Sequence, residues 1–230
     1  MLALVGSGEY LPAIEPVDRY LFSQLNGEPR VLCLPTAAGT ESPERIRYWM
    51  DLGVEHFSRL GVQVEALPII DRAGALDPCW VECIRQANFI YLSGGRPDYL
   101  YNTLKDTPTW EAIFSVHLRG GIIAGCSAGA MIMGARIPGF PRWQPAFGLI
   151  PKAVIIPHFD ELPQVFIKTI RYLIQRNWTI VGIEGNTALV SSNGEISVIG
   201  SGSVTIWNIN RRSQYKDRQQ LSDPDLASIL

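Results

Sequence analysis

Short apolar runs alternating with helical patterns constrain this chain more than any other feature. The runs are Leu2–Val5, Arg30–Pro35, Val62–Pro68, Asn88–Leu92, Gly121–Ala124, Ala153–Pro157 and Thr179–Ile183. Helix patterns lie between them at Glu15–Leu25, Pro43–Leu60, Pro78–Gln86, Tyr99–Leu104, Thr109–Leu118 and Leu162–Arg176. A strand that is apolar throughout is buried on both faces, and strands joined through helices run parallel. The pattern predicts an α/β fold with a mostly parallel sheet flanked by helices on both faces. Ser42 followed by Pro43 reads as a cap with proline at the first helical position. Past Glu184 the period changes. Thr187–Ser191 and Glu195–Ile199 flank Ser192, Asn193 and Gly194, and Asn-Gly signals a C-terminal β-hairpin. Ser203–Asn208 reads as one more strand. From Arg211 the chain is polar and charged, so residues 1–210 are expected to form one domain and 211–230 a loosely held tail.

Composition narrows the function classes. With 47% hydrophobic residues and a net charge of −2, the chain can bury a core but carries no basic surface that calls for nucleic acid or an anionic membrane. Its first apolar run is too short for a signal peptide, and no stretch approaches the ~18 apolar residues of a membrane span. Cys33, Cys79, Cys83 and Cys126 lack the paired spacing of a zinc site and read as thiols in a reducing cytoplasm.

In parallel sheets, ligands sit beyond the carboxyl ends of the strands. One such end runs from the apolar Gly121–Ala124 into Gly125, Cys126, Ser127, Ala128 and Gly129, then into a helix pattern. That is Gly-x-Ser-x-Gly in strand–turn–helix context, the nucleophile elbow of acyl-transfer enzymes. Ser127 is the exposed centre of such a turn, and the Ala128 N–H is the natural oxyanion donor. A tight turn of small residues is the bland alternative, and Cys126 is a rival nucleophile. Of three histidines, His56 and His117 fall inside helix patterns, whereas His158 follows a strand and is the candidate base. From Ala128 to Pro157 there is no Asp or Glu, so the acid cannot lie between Ser127 and His158. Glu184, ending the strand Thr179–Ile183, is the expected acid, with Asp160 as the alternative.

Together these residues resemble the cyanophycinase and aspartyl dipeptidase family of serine peptidases. The matching pieces are Gly6–Glu9, Leu34–Ala37, Tyr91–Gly95, Gly125–Ala130, Pro157–Phe159 and Gly182–Ala188, in family order. The resemblance implies a class I glutamine amidotransferase-like fold, a flavodoxin-like three-layer sandwich, with a Ser-His-Glu triad mapping to Ser127, His158 and Glu184. It implies a second oxyanion donor at Gly95, no cofactor or metal, and a homodimer as one assembly. The implied substrate is a small peptide with an acidic or aspartyl-linked residue. Where the family carries Asn, Asp or Gln after the paired glycines, this chain has Arg96 and Pro97. Arg96 is a candidate for binding a substrate carboxylate, and Arg142 and Arg171 are further candidates. The rival readings are a catalytically silent binding or regulatory module on the same fold, and an esterase.

Overall fold

Each apolar run becomes a strand, but the strands divide between two sheets. The computed structural model describes residues 1–139, 143–162, 166, 170, 172, 177–192 and 194–221. Its elements are β1 (Leu2–Val5), α1 (Glu15–Ser23), β2 (Arg30–Leu34), α2 (Pro43–Arg59), β3 (Gln63–Ala66), α3 (Arg72–Leu76), α4 (Pro78–Gln86), β4 (Phe89–Leu92), α5 (Pro97–Leu104), α6 (Pro108–Leu118) and β5 (Ile122–Cys126). Then follow α7 (Ala128–Met131), β6 (Arg136–Ile137), β7 (Gln144–Pro145), β8 (Ala153–Ile156), β9 (Thr179–Ile183), β10 (Thr187–Ser192), β11 (Glu195–Gly200), β12 (Ser203–Trp207) and β13 (Arg212–Lys216).

The main sheet has the order β11-β10-β1-β5-β4-β2-β3. From β1 to β3 all neighbours are parallel, while β10 and β11 form the expected antiparallel hairpin on the far edge. Successive residues of each central strand feed opposite cores, as a period of two requires. On β1, Leu2 and Leu4 join Val81, Ile84, Leu100, Leu104 and Ile113 from α4, α5 and α6. Ala3 and Val5 join Val17 and Leu21 of α1 and Phe57 of α2. Helices on both faces produce the predicted three layers.

A second sheet, β13-β12-β9-β8, carries the strands that precede His158 and Glu184. β8 and β9 are parallel, with Ile156 opposite Gly182. Ile155, Val181 and Ile183 pack into the core that the main sheet shares with α4, α5 and α6, which locks the two sheets together. A single rim is therefore replaced by a junction between two sheets.

Two expectations need correction. The segment expected as a loose tail begins with β13, paired antiparallel to β12 from Arg212↔Trp207 to Lys216↔Ser203. Its residues alternate exposed and half-buried, and Tyr215 packs on the core, so a polar sequence is what an outer strand facing water requires. The helix α3 was not expected. It is only five residues long and rests on a local cap, the Gly74 N–H donating to Asp71 Oδ1 at 2.8 Å. The helix expected at Leu162–Arg176 lies mostly outside the described residues, although Phe166, Ile170 and Tyr172 are helical.

Candidate active site

β5 delivers Ser127 at the carboxyl edge of the main sheet. The Ser127 N–H donates to the Val5 carbonyl at 3.0 Å, and its carbonyl accepts from Met131 to start α7. Its backbone sits at φ 49°, ψ −107°. A non-glycine residue there is strained by about 1–3 kcal/mol, and it persists only when its surroundings dictate it. The surroundings are glycines at close approach: a Cβ on Gly125 would lie 2.4 Å from the Gly129 backbone, and one on Gly129 would lie 2.3 Å from the Leu92 carbonyl. No side chain fits either position. The spacing that marks the elbow in the sequence is thus a packing requirement.

Two amides in the adjoining turns are unpaired among the described residues. Gly94 donates to Glu9 Oε1 at 3.0 Å and Arg96 to the Ala37 carbonyl at 2.9 Å. Between them the Gly95 N–H has no acceptor among the described residues, and neither has the Ala128 N–H at the start of α7. Gly95 holds φ +139°, with Ala37 backbone where a Cβ would be, so glycine is required there as well.

His158 arrives from the second sheet. Pro157 ends the β8 run and His158 turns left-handed, at φ 50° and ψ 41°, which brings its Nε2 to 3.1 Å from Ser127 Oγ. In that contact the hydroxyl donates when Nδ1 carries the imidazole proton. Among the described residues the carboxylate nearest Nδ1 is Glu161, three residues on, with Oε2 at 3.7 Å. The histidine side chain is 41% exposed and the glutamate 69%, so water screens this pair to about 0–1 kcal/mol.

The two acids expected from the sequence make other bonds. His158 and Glu184 each lie two residues past the β8/β9 pair Ile156↔Gly182, at the ends of neighbouring strands. Yet Glu184 Oε2 accepts the Ser203 N–H at 2.8 Å and Oε1 the Gln214 amide at 3.4 Å. Its carboxylate lines a cleft of about 430 Å³ with Ser203, Gln214 and Lys216. Asp160 Oδ1 accepts the Gly185 N–H at 3.1 Å, which ties the histidine loop to the segment after β9. The structure therefore joins Ser127 to His158 and holds Glu184 and Asp160 in backbone contacts beside them.

The rival nucleophile is occupied. Cys126 is fully buried and donates its S–H to Glu9 Oε2 at 3.0 Å. Burial first, and then the Glu9 charge, push its pKa well above the ordinary thiol range, so the sulfur stays protonated. His56, also inside the fold, pairs with buried Asp18 at 2.7 Å and belongs to the core. Arg96 is exposed and pairs with Asp98 through Nη2 at 2.8 Å, so a substrate carboxylate would compete with Asp98 for it. Arg142 and Arg171 lie outside the described residues. Glu9 and Glu161 were missed by the sequence reading. Their only signal was their place in segments that follow strands. Among the described residues no group of three or more His, Cys, Asp or Glu is gathered as for a metal ion, and no helix is long and apolar enough to cross a membrane.

Comparison with known proteins places this chain among peptidases. The model of Peptidase family S51 matches residues 2–199. A cyanophycinase from Geminocystis herdmanii is 26% identical over 221 residues, covering 90% of this chain and 79% of that protein. A cyanophycinase from a Nostoc species is 27% identical over 175 residues, and the match spans 56% of its length. A crystal structure of a peptidase from an acI-B1 Actinobacterium superposes with a TM-score of 0.88 at 36% identity, covering 96% of both chains. A putative peptidase E protein from Listeria monocytogenes, at 20% identity and a TM-score of 0.59, shares the fold.

Proposed function

The chain belongs to Peptidase family S51 and is a serine-type peptidase, and from that premise we propose that Ser127 and His158 cleave small peptides through an acyl-enzyme. The observation that carries this reading is the 3.1 Å approach of His158 Nε2 to Ser127 Oγ, reached from two different sheets. His158 takes the hydroxyl proton as Oγ attacks the peptide carbonyl. The Gly95 and Ala128 N–H groups receive the oxyanion, and each such donor lowers the barrier by about 3–4 kcal/mol. The C–N bond breaks as His158 returns the proton to the leaving amine, and water then hydrolyses the ester by the reverse route.

For the acid we propose Glu184, which the family resemblance implies and which the β8/β9 register supports. The role requires its carboxylate to leave Ser203 for His158 Nδ1. A second reading, favoured by the 3.7 Å distance, gives that role to Glu161. The substrate class follows the family: a peptide with an acidic or aspartyl-linked residue, its carboxylate drawing Arg96 away from Asp98. A site whose imidazole is 41% exposed suits dipeptides and free chain ends. The test is labelling of the purified protein by a fluorophosphonate, repeated with Ser127→Ala and His158→Ala, together with cleavage of aspartyl dipeptides. The expected result is labelling and cleavage by the wild type and neither by the variants. An unlabelled wild type would make the chain a silent module on this fold. Labelling without cleavage of any aspartyl peptide would keep the chemistry and remove the substrate.

A further inference from the structure

The segment Gly6–Tyr10, between β1 and the turn that leads into α1, reaches both the glycine loop after β4 and the residue before Ser127. β1 and β4 flank β5 on its two sides, with Val5 opposite Cys126 and Leu92 opposite Gly125. The loops that follow β1 and β4 therefore lie on either side of Ser127. A single carboxylate spans them: Glu9 takes the Gly94 N–H on Oε1 and the Cys126 S–H on Oε2, each at 3.0 Å. The next residue makes a second cross-link, the Tyr10 hydroxyl meeting Ser93 Oγ at 2.7 Å in the core. The packing is close. A Cβ on Gly94 would sit 2.6 Å from Glu9 Oε1 and 3.4 Å from Ser127 Cβ, so carboxylate, glycine and nucleophile form one stack.

We propose that Glu9 is a positioning residue for acyl transfer: by accepting from the amide of the glycine loop and from the residue before the nucleophile, it sets the distance between the Gly95 N–H and Ser127. This rests on the Ser127–His158 reading. The physical reason is the tolerance of oxyanion stabilisation, since donors must be fixed within about 0.5 Å to act. The Gly94 peptide can rotate unless its N–H is held, and rotation would turn the adjacent Gly95 amide off the oxyanion. An ionised carboxylate accepts only, so it suits two donors at once, and charge-assisted bonds hold more firmly than neutral ones. Negative charge this near a developing oxyanion opposes it. The useful property of Glu9 is therefore its acceptor geometry, which a glutamine carbonyl can reproduce toward Gly94 and a leucine cannot.

The experiment compares wild type, Glu9→Gln and Glu9→Leu in three readouts: kcat and KM for a cleaved peptide, the rate of fluorophosphonate acylation, and amide hydrogen exchange across residues 93–96. In Glu9→Leu, kcat and the acylation rate should fall by about 10²-fold, the loss expected of a displacement near 1 Å, with KM little changed. The same variant should exchange faster at the glycine loop, and Glu9→Gln should recover most of the rate and the protection. Leucine with unchanged exchange and acylation would overturn the proposal, as would glutamine as damaging as leucine. Should Glu9→Leu fail to fold, Glu9→Gln alone decides, since a hundredfold loss there refutes the acceptor role. A wild type that neither reacts nor cleaves would sink the peptidase reading. Exchange would then still report whether Glu9 holds Gly94.

Discussion

The two halves of the candidate site are built to different standards. On the nucleophile side, Ser127 is pinned by a β5 strand buried at every residue, by paired glycines that admit no side chain, and by a carboxylate reaching across from the first loop. On the base side, His158 stands 41% exposed at a left-handed turn and faces an exposed glutamate. The contrast teaches where precision is needed. In the acyl transfer we propose, Ser127 and the Gly95 and Ala128 N–H groups must be in place before substrate arrives, whereas the imidazole can be aligned as the substrate excludes water around it.

The largest test of this contrast is chemical. Ser127→Ala and His158→Ala should each lower kcat by about 10⁶-fold, because members of such a unit fail together. A His158→Ala enzyme keeping a hundredth of its rate would break the pairing of the two halves. The acid separates the readings next. Glu184→Gln is expected to lose up to about 10⁴-fold in kcat, and Glu161→Gln, in a screened surface pair, only a small part of that. The opposite ranking would assign the acid to Glu161.

One substitution made on both sides sharpens the structural half. Gly129→Ala places a Cβ 2.3 Å from the Leu92 carbonyl, whereas Gly185→Ala meets only Ser7 Oγ at 3.1 Å and Asp160 Oδ2 at 3.6 Å. Overpacking against rigid backbone costs about 1–3 kcal/mol, so urea unfolding should show that loss for Gly129→Ala and much less for Gly185→Ala. Equal losses would mean that the base side is as tightly packed as the elbow.

The smallest effect is a pH dependence carried by the buried thiols behind the elbow. Burial pushes Cys33 up to about 12 from its ordinary 9.0 and raises Cys126 as well, so the folded protein keeps protons that the unfolded chain releases above pH 9. The stability this reflects is complete below pH 9 and is lost as pH rises toward 12. The urea midpoint should fall over that window, and Cys33→Ala should flatten the fall. A slope unchanged by the substitution would place the titration elsewhere. Buried Tyr10 and Tyr91, raised in the same direction by burial, account for the part that persists.

The strand and helix order, the hairpin of β10 and β11 and the elbow were legible because each rests on local physics. Apolar runs, proline at a helix start and glycine at close approach leave the same mark in any fold that needs them. Tertiary pairing decided the rest. β13 is polar and became a strand only because β12 offered it a partner. The division into two sheets was invisible, since β8 and β9 read like any other buried strands. Glu184 and His158 follow neighbouring strands, yet the Glu184 carboxylate accepts the Ser203 N–H, a choice made by side-chain rotation and not by spacing.

Sequence by itself singled out Ser127 and His158 as candidates and set the layered α/β order around them, since periodicity and forbidden side chains act along the chain. Only the tertiary structure decided which carboxylate each donor meets. Hydrogen bonds are satisfied within about 3 Å in space, and residues as far apart as Glu9, Gly94 and Cys126 become neighbours only once the strands are laid side by side.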